Sequence, residues 1–331
     1  MMRLEPQDEY PHAPDAAENF NESVYANGFD PKARMGAWMR LGNRVNEGYA
    51  ELSVCIYLPD GRVACQFARP AIESNDAFDA GGLRVDVVEP LERIDLIYEG
   101  ELLLLDDPNA LRDPKTMFER APRVPSAVRF EQSAISPVYG GEPLSEDQQT
   151  LYGHAFSRSH FNQHTRVSGH MRVGEEEWSI DGFGWRDHSW GPRYWQEIYW
   201  YRLFMGNVGE DRGFMLLKIV DPDGRARRLG VLRIDGEYEP VLDLDVVTEW
   251  SEQQDPQRVL VGVRTANRHE LIEARMITVA PLRNRRRANG EVLVSRIAEG
   301  FTEFTWDGRT GYGMTEYIER LEDGRPVGYP L

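Results

Sequence analysis

The chain has 331 residues and carries 38 Lys plus Arg against 55 Asp plus Glu, a formal net charge of −17. So acidic a surface repels phosphate backbones, which argues against a general nucleic-acid binder. An apolar share of 41% is enough for a packed core and argues against disorder throughout, and the length suits two ordinary domains or one large one.

From the N-terminus, Met1 to Asn21 is polar and acidic, without a basic or an apolar signal region, so no secretory signal is expected. No apolar run approaches the length of a membrane span. Glu51 to Leu58 alternates, Pro59-Asp60-Gly61-Arg62 turns, and Val63 to Ala68 alternates again, which predicts a hairpin. The two cysteines, Cys55 and Cys65, flank that turn. Their number excludes a disulfide framework, and two free thiols in a reducing, cytoplasmic compartment are expected.

Further strands are predicted at Leu83 to Val88, Ile94 to Tyr98 and Glu101 to Leu105. Asp113-Pro114 is an N-cap with proline at the first helical position and opens a short helix to about Arg120. Ser145 with Gln148 resembles a capping box that opens about two more turns. The stretch Pro122 to Pro143 lacks periodicity and reads as a crossing between two β units. Strands then follow at Met215 to Val220, Leu229 to Ile234, Leu242 to Glu249, Val259 to Thr265, Leu271 to Val279, Val292 to Glu303 and Thr315 to Leu321. Turns this frequent are the spacing of antiparallel sandwiches and barrels. A faint internal echo points to duplication of a β module: Pro59 to Arg62 recurs as Pro222 to Arg225, and Met39 to Asn43 as Leu203 to Asn207.

Chemistry concentrates in Trp178 to Arg193. Of the 8 Trp, 5 lie between Trp178 and Trp200. Strand alternation places Trp185, Asp187 and Ser189 on one face and Arg186, His188 and Trp190 on the other, unless a bulge merges the two sets. Gly182, Gly184 and Gly191 permit bulges or close backbone approach.

Asp187-His188-Ser189-Trp190-Gly191, followed by Tyr194-Trp195 and Tyr199-Trp200, resembles the signature of the carotenoid 1,2-hydratase/AttH-like superfamily. Asn19 to Ser23 and Gly311 to Tyr317 are similar to parts of its DUF7064/DUF7065-like branch. Carotenoid hydratases usually carry Asn where this chain has Ser189. The resemblance implies two lipocalin-like modules in tandem, and a superfamily that includes hydratases of isoprenoid double bonds and pericyclic cyclases.

The residues suit such chemistry. Protonating an alkene carbon needs a carboxylic acid held neutral by an apolar wall, and Asp187 is the candidate donor. A resulting carbocation needs a π face, for which Trp185, Trp190, Trp195 and Tyr199 are candidates; the alternative is that the tryptophans are barrel core. His188 either positions the attacking water or orients Asp187. Arg186 and Arg193 either bind an anionic group on the ligand or pair with barrel acids, Asp187 included. Glu316, with Tyr312, sits on the last strand, where it either closes the site or faces solvent.

His160, His164 and His170 are spaced H-x3-H-x5-H, and the first pair would share a helix face. No carboxylate or cysteine completes the set, so no metal is expected. No phosphate loop and no nucleophile elbow are present. The basic run Arg283 to Arg287 reads as a solvated turn between strands.

The expected fold is all-β: two tandem lipocalin-like, calycin-type antiparallel barrels or sandwiches with a few short helices in the middle, residues 1–155 and 156–331, the second carrying the Asp187 to Gly191 motif. The expected function is a cofactor-independent enzyme on a lipophilic isoprenoid, steroid-like or polyketide-like substrate, by acid-assisted hydration, dehydration, isomerisation or cyclisation. The alternative is a non-catalytic binding protein for a hydrophobic metabolite. The expected partner is that small molecule, with neither nucleic acid nor a membrane span, and a homodimer is left open.

Overall fold

The computed structural model describes residues 2–145, 150, 157–194, 198–288 and 291–327. The chain is all-β and separates into two compact units, one of residues 1–104 with 122–194, the other of residues 105–121 with 195–331. No described helix is long and apolar enough to cross a membrane.

Eight of the first unit's strands form its ring: β1 (Phe20–Asp30), β2 (Met35–Arg44), β3 (Tyr49–Tyr57), β4 (Val63–Ala68), β5 (Arg93–Leu105), β6 (Arg123–Ala134), β7 (Ser159–Val173) and β8 (Glu176–Pro192), with the predicted strand at Leu83 present as Leu83–Glu89 beside β5. Each is hydrogen-bonded to the next, and β8 returns to pair with β1, which closes the ring. An eight-stranded barrel has room inside for side chains or one small ligand. Here alternate residues fill it, among them Val24, Ala26, Met39, Leu52, Val54, Phe130, Val167 and Ile180, in one apolar cluster.

β8 lies unusually close to β1. A Cβ added to Gly182 would sit 2.0 Å from the Phe29 carbonyl oxygen, and one on Gly184 2.0 Å from that of Asn27. These glycines therefore serve close backbone approach, one of the two roles expected of them.

The hairpin around Pro59 is present, and Cys55 faces Cys65 across it as a pair of buried thiols not joined in a disulfide. The stretch from Pro122 to Pro143 is not a crossing: it holds β6 and a strand at Tyr139–Pro143. Its alternation is disguised because the inward positions include Ser126 and Gln132 beside Val128 and Phe130.

The second unit is a barrel-like sheet of β9 (Trp200–Asn207), β10 (Arg212–Val220), β11 (Ala226–Ile234), β12 (Glu237–Pro240), β13 (Asp243–Trp250), β14 (Pro256–Arg264), β15 (His269–Ala288), β16 (Glu291–Trp306) and β17 (Arg309–Glu322). The order is β12-β11-β10-β9-β17-β16-β15-β14-β13. Val241 and Leu242 donate to Gly230 of β11 and Arg264 of β14, which brings the two ends of that order together. Phe204, Phe214, Leu216, Val261, Ile272, Phe304 and Trp306 are its core. The predicted helix, α1 (Pro114–Arg120), is capped by Asp113, whose carboxylate accepts from the Thr116 N–H. The second predicted helix, from Ser145, falls largely outside the described residues.

Three expectations differ from the structure. The motif strand β8 is paired on both sides with strands of the first unit, so the compact units part at 194/195 rather than 155/156. The internal echo does not mark equivalent elements: Met39 to Asn43 lies on the second strand of its barrel, Leu203 to Asn207 on the first described strand of its unit. The run Arg283 to Arg287 lies within β15, paired with β16, and not in a turn.

Candidate functional site

The register of β8 runs unbroken from Phe183 to Trp190 against both β7 and β1, so its alternation is strict and the two faces stay separate. Trp185, Asp187 and Ser189 point outward, while Arg186, His188 and Trp190 point into the barrel with Ile180. Asp187 and His188 therefore cannot act on one atom, and the expectation that His188 orients Asp187 is corrected. The tryptophans disperse as well. Trp185 and Trp190 take opposite faces, Trp200 belongs to the second unit, and Trp195 lies outside the described residues.

Inside the barrel, one end of the lumen is polar. Glu22 of β1, fully buried, accepts from His12 Nδ1 at 2.6 Å, the His12 backbone N–H at 2.8 Å, His188 Nε2 at 2.9 Å and Asn75 Nδ2 at 2.5 Å. Burial alone would raise this carboxyl, but the hydrogen bonds and charge of the two histidines outweigh it and hold it at about 2. A carboxylate only accepts, so the ring nitrogens facing it both donate.

His12 is held above its ordinary range: burial opposes its charge, but the bonds and charges of Glu22 and Asp8 prevail. It also stacks on Trp190, with centroids 3.9 Å apart. Beside this cluster Arg186 donates to Glu9 at 2.5 Å and to Gln163 Oε1 through Nε and Nη2. His12, Glu22 and His188 bring nitrogen and oxygen donors within 4.8 Å of one another, a set chemically able to hold a divalent metal, although hydrogen bonds already engage them. No local pattern marks this cluster, because its members lie far apart along the chain.

On the outer face the register aligns three kinds of row. The first is aromatic: Trp185 opposite Asn27 opposite Trp38. Trp185 is buried and meets His164 edge-on at 4.6 Å, and the Trp38 indole N–H donates to Tyr57 at 3.2 Å. The second row is Asp187 opposite Tyr25 opposite Arg40 opposite Ser53. Among the described residues, Tyr25 is the single half-buried position of β1 and Arg40 that of β2. Asp187, 17% exposed, is in line with them, and His160 Nε2 lies 3.6 Å from its carboxylate.

The third row is small: Ser189 opposite Ser23 opposite Gly42. Arg193 reaches back over it and donates to Ser189 Oγ at 2.7 Å. Arg193 is buried, and burial together with the charge of Arg40 pushes it down to about 9. His160, His164 and His170 thus sit on a strand, β7, not on a helix.

The other expected residues belong to the second unit. Tyr199 is bonded through its backbone to Val220 and Arg320, with the Arg320 guanidinium over its ring. Glu316 stands opposite Glu299 in the β16–β17 register. Burial, with the charge of Glu316, raises the Glu299 carboxyl well above its ordinary range. Inside that unit Arg202 donates to Glu319 and lies over the rings of Tyr317, Trp200 and Trp250.

Solved structures share this architecture. The AttH-like protein NE1406 from Nitrosomonas europaea is 15% identical, with 96% of each chain covered and a TM-score of 0.58. Kievitone hydratase from Nectria haematococca is 10% identical, with 96% of this chain and 93% of that one covered and a TM-score of 0.56. CghA, solved with Sch210972, is 10% identical, with 98% and 97% covered and a TM-score of 0.57. At these identities the likeness concerns the fold alone. No curated protein matches the chain. The model of a domain of unknown function, DUF7064, matches residues 5–320, and the chain belongs to that family.

Proposed function

We propose that the protein is an enzyme that acts on a lipophilic small molecule at the outer face of its first barrel, by acid-assisted hydration, dehydration, isomerisation or cyclisation without a redox cofactor. One observation carries this reading: the lone accessible positions of β1 and β2, Tyr25 and Arg40, fall in register with Asp187. A sheet that merely packed would bury this row like the rows beside it. Instead a carboxyl, a phenol and a guanidinium stay reachable between an aromatic wall and a floor of small residues.

Asp187 is the proton donor in this reading. His160, rather than His188, is the imidazole near enough to return the proton between turnovers. Tyr25 presents the accessible π face that stabilises positive charge developing on carbon, with Trp185 and Trp38 buried in the wall beside it. The fold shared with a hydratase supports a reaction of the hydration type.

Asp187→Asn tests it. Native mass spectrometry of the purified protein identifies a co-purified hydrophobe, and isoprenoid and polyketide alkenes are then offered as substrates. We expect the variant to melt as the parent does, to bind the same hydrophobe and to lose turnover by at least about a hundred-fold. Full activity in the variant overturns the acid role. A hydrophobe released unchanged, with no alkene consumed, makes the protein a carrier instead.

A further inference from the structure

We propose that the small-residue row beside Asp187 seats an oxyanion group of the ligand, a carboxylate or a phosphate, between the guanidiniums of Arg40, Arg44 and Arg193. Gly42 makes the seat. A Cβ there would lie 2.7 Å from Arg40 Nη2 and 3.1 Å from Asn21 Oδ1, so both side chains converge over its bare backbone. Ser23 and Ser189, each at most 2% exposed, extend the floor on either side in register.

Glu51 and Glu47 answer Arg40 and Arg44 in part, and buried N–H groups of both remain over. Arg40 gives Nη1 to Glu51 at 3.2 Å, but its buried Nη2 has no hydrogen-bond partner among the described residues. Arg44 is fully buried; its Nε goes to Glu47, while Nη1 has no such partner. Asn21 is 1% exposed, and neither atom of its amide has a hydrogen-bond partner among the described residues. Arg193 contributes a third guanidinium, held by the Ser189 hydroxyl. Leaving a buried donor unpaired is costly, and guanidiniums forced together repel, so such an arrangement persists where an anion completes it. The depressed basicity of Arg193 beside Arg40 agrees with this.

Planar forks suit a carboxylate or a phosphate, which can take two N–H groups from each arginine. Neighbouring rows on one face of a sheet lie about 7 Å apart, so an anion held here lies about that far from the Asp187 carboxyl. The substrate class that follows is a lipophilic acid whose head group is anchored while its hydrocarbon crosses the accessible row. The seat is argued from its own donors; only the statement that its anion belongs to the substrate rests on the proposed function.

Three probes of equal chain length separate the possibilities: decanoate, decyl phosphate and decanol, titrated calorimetrically into the full-length protein. We expect at least one anionic probe to bind about ten-fold or more tightly than decanol, and the tighter of the two names the head group. Arg40→Met and Gly42→Ala should each lower the affinity for that probe about ten-fold while leaving decanol unchanged. Gly42→Ala removes no charge and displaces only the flexible ends of Arg40 and Asn21, so it reports on the seat even if Arg40→Met folds poorly. Asp187→Asn should keep the anion preference, whatever it does to turnover. Equal binding of decanol and both anions, no binding of either anion, or a preference that survives both seat variants overturns the proposal. None of those outcomes depends on the activity of the Asp187 variant.

Discussion

Replacing Glu22 by Gln removes the charge on which the polar end of the first barrel is organised. The carboxyl is held at about 2 against an ordinary 4.5, which corresponds to about 3 kcal/mol in favour of the folded, ionised form. A glutamine keeps one oxygen but turns an N–H toward donors from His12, His188 or Asn75, so Glu22→Gln should lose about 3 kcal/mol and as much as about 5. For a unit of this size that lowers the melting temperature by about 6 to 12 °C.

The pH dependence follows from the direction of the shift. A depressed carboxyl stabilises the fold fully above its unfolded value of 4.5, and the contribution disappears as pH falls toward about 2. Urea unfolding of parent and variant, followed by tryptophan fluorescence between about pH 7 and pH 2.5, reads the gap directly. It should be widest near neutrality and shrink steadily in acid. A gap below about 1 kcal/mol near neutrality, or one equally wide at both ends of the range, refutes the reasoning.

Other expectations concern the same barrel. Glu9→Gln strands the buried Arg186 guanidinium and should cost about 3 kcal/mol in urea unfolding; unchanged stability would mean that Gln163 alone suffices for Arg186. His12→Gln should cost about 2 kcal/mol at mildly acid pH. Because the folded His12 is held above its ordinary 6.5, that cost should fade as pH rises past its folded value, and a cost that instead grew with pH would contradict the assignment. Gly184→Ala drives a Cβ into the Asn27 carbonyl, and we expect a loss of about 3 kcal/mol, with accelerated hydrogen exchange along β1 and β8 as the local readout.

Local chemistry was legible where it is local. The turn at Pro59 to Arg62, the Asp113–Pro114 helix start and the two-residue period of β8 each depend on neighbours in the chain, and each appears as the residues predict. The alternation rule assigned the face of every side chain from Trp185 to Trp190 correctly. It did not reveal β1 and β2, because nearly all their positions are buried on both faces and the apolar–polar rhythm vanishes. Nor did it reveal β6, whose inward serine and glutamine break the pattern.

The candidate site was legible in part. Asp187, Trp185 and Arg193 do share a region of one face, but the partner of Asp187 is His160, brought beside it by the β7–β8 register, and not the adjacent His188. His188 instead meets Glu22 and, around it, His12 from the N-terminal segment, residues separated by more than half the chain. Arg40 and Asn21 gather over Gly42 for the same reason, since β1 and β2 place them there. Adjacent residues in a strand point to opposite faces, so proximity along the sequence is a poor guide to proximity in a sheet. From the sequence alone came the β class, the motif strand and the face of each of its side chains. Which residues from other strands meet those side chains was decided by barrel closure and register, because pairing partners in a sheet are chosen across the fold rather than along the chain.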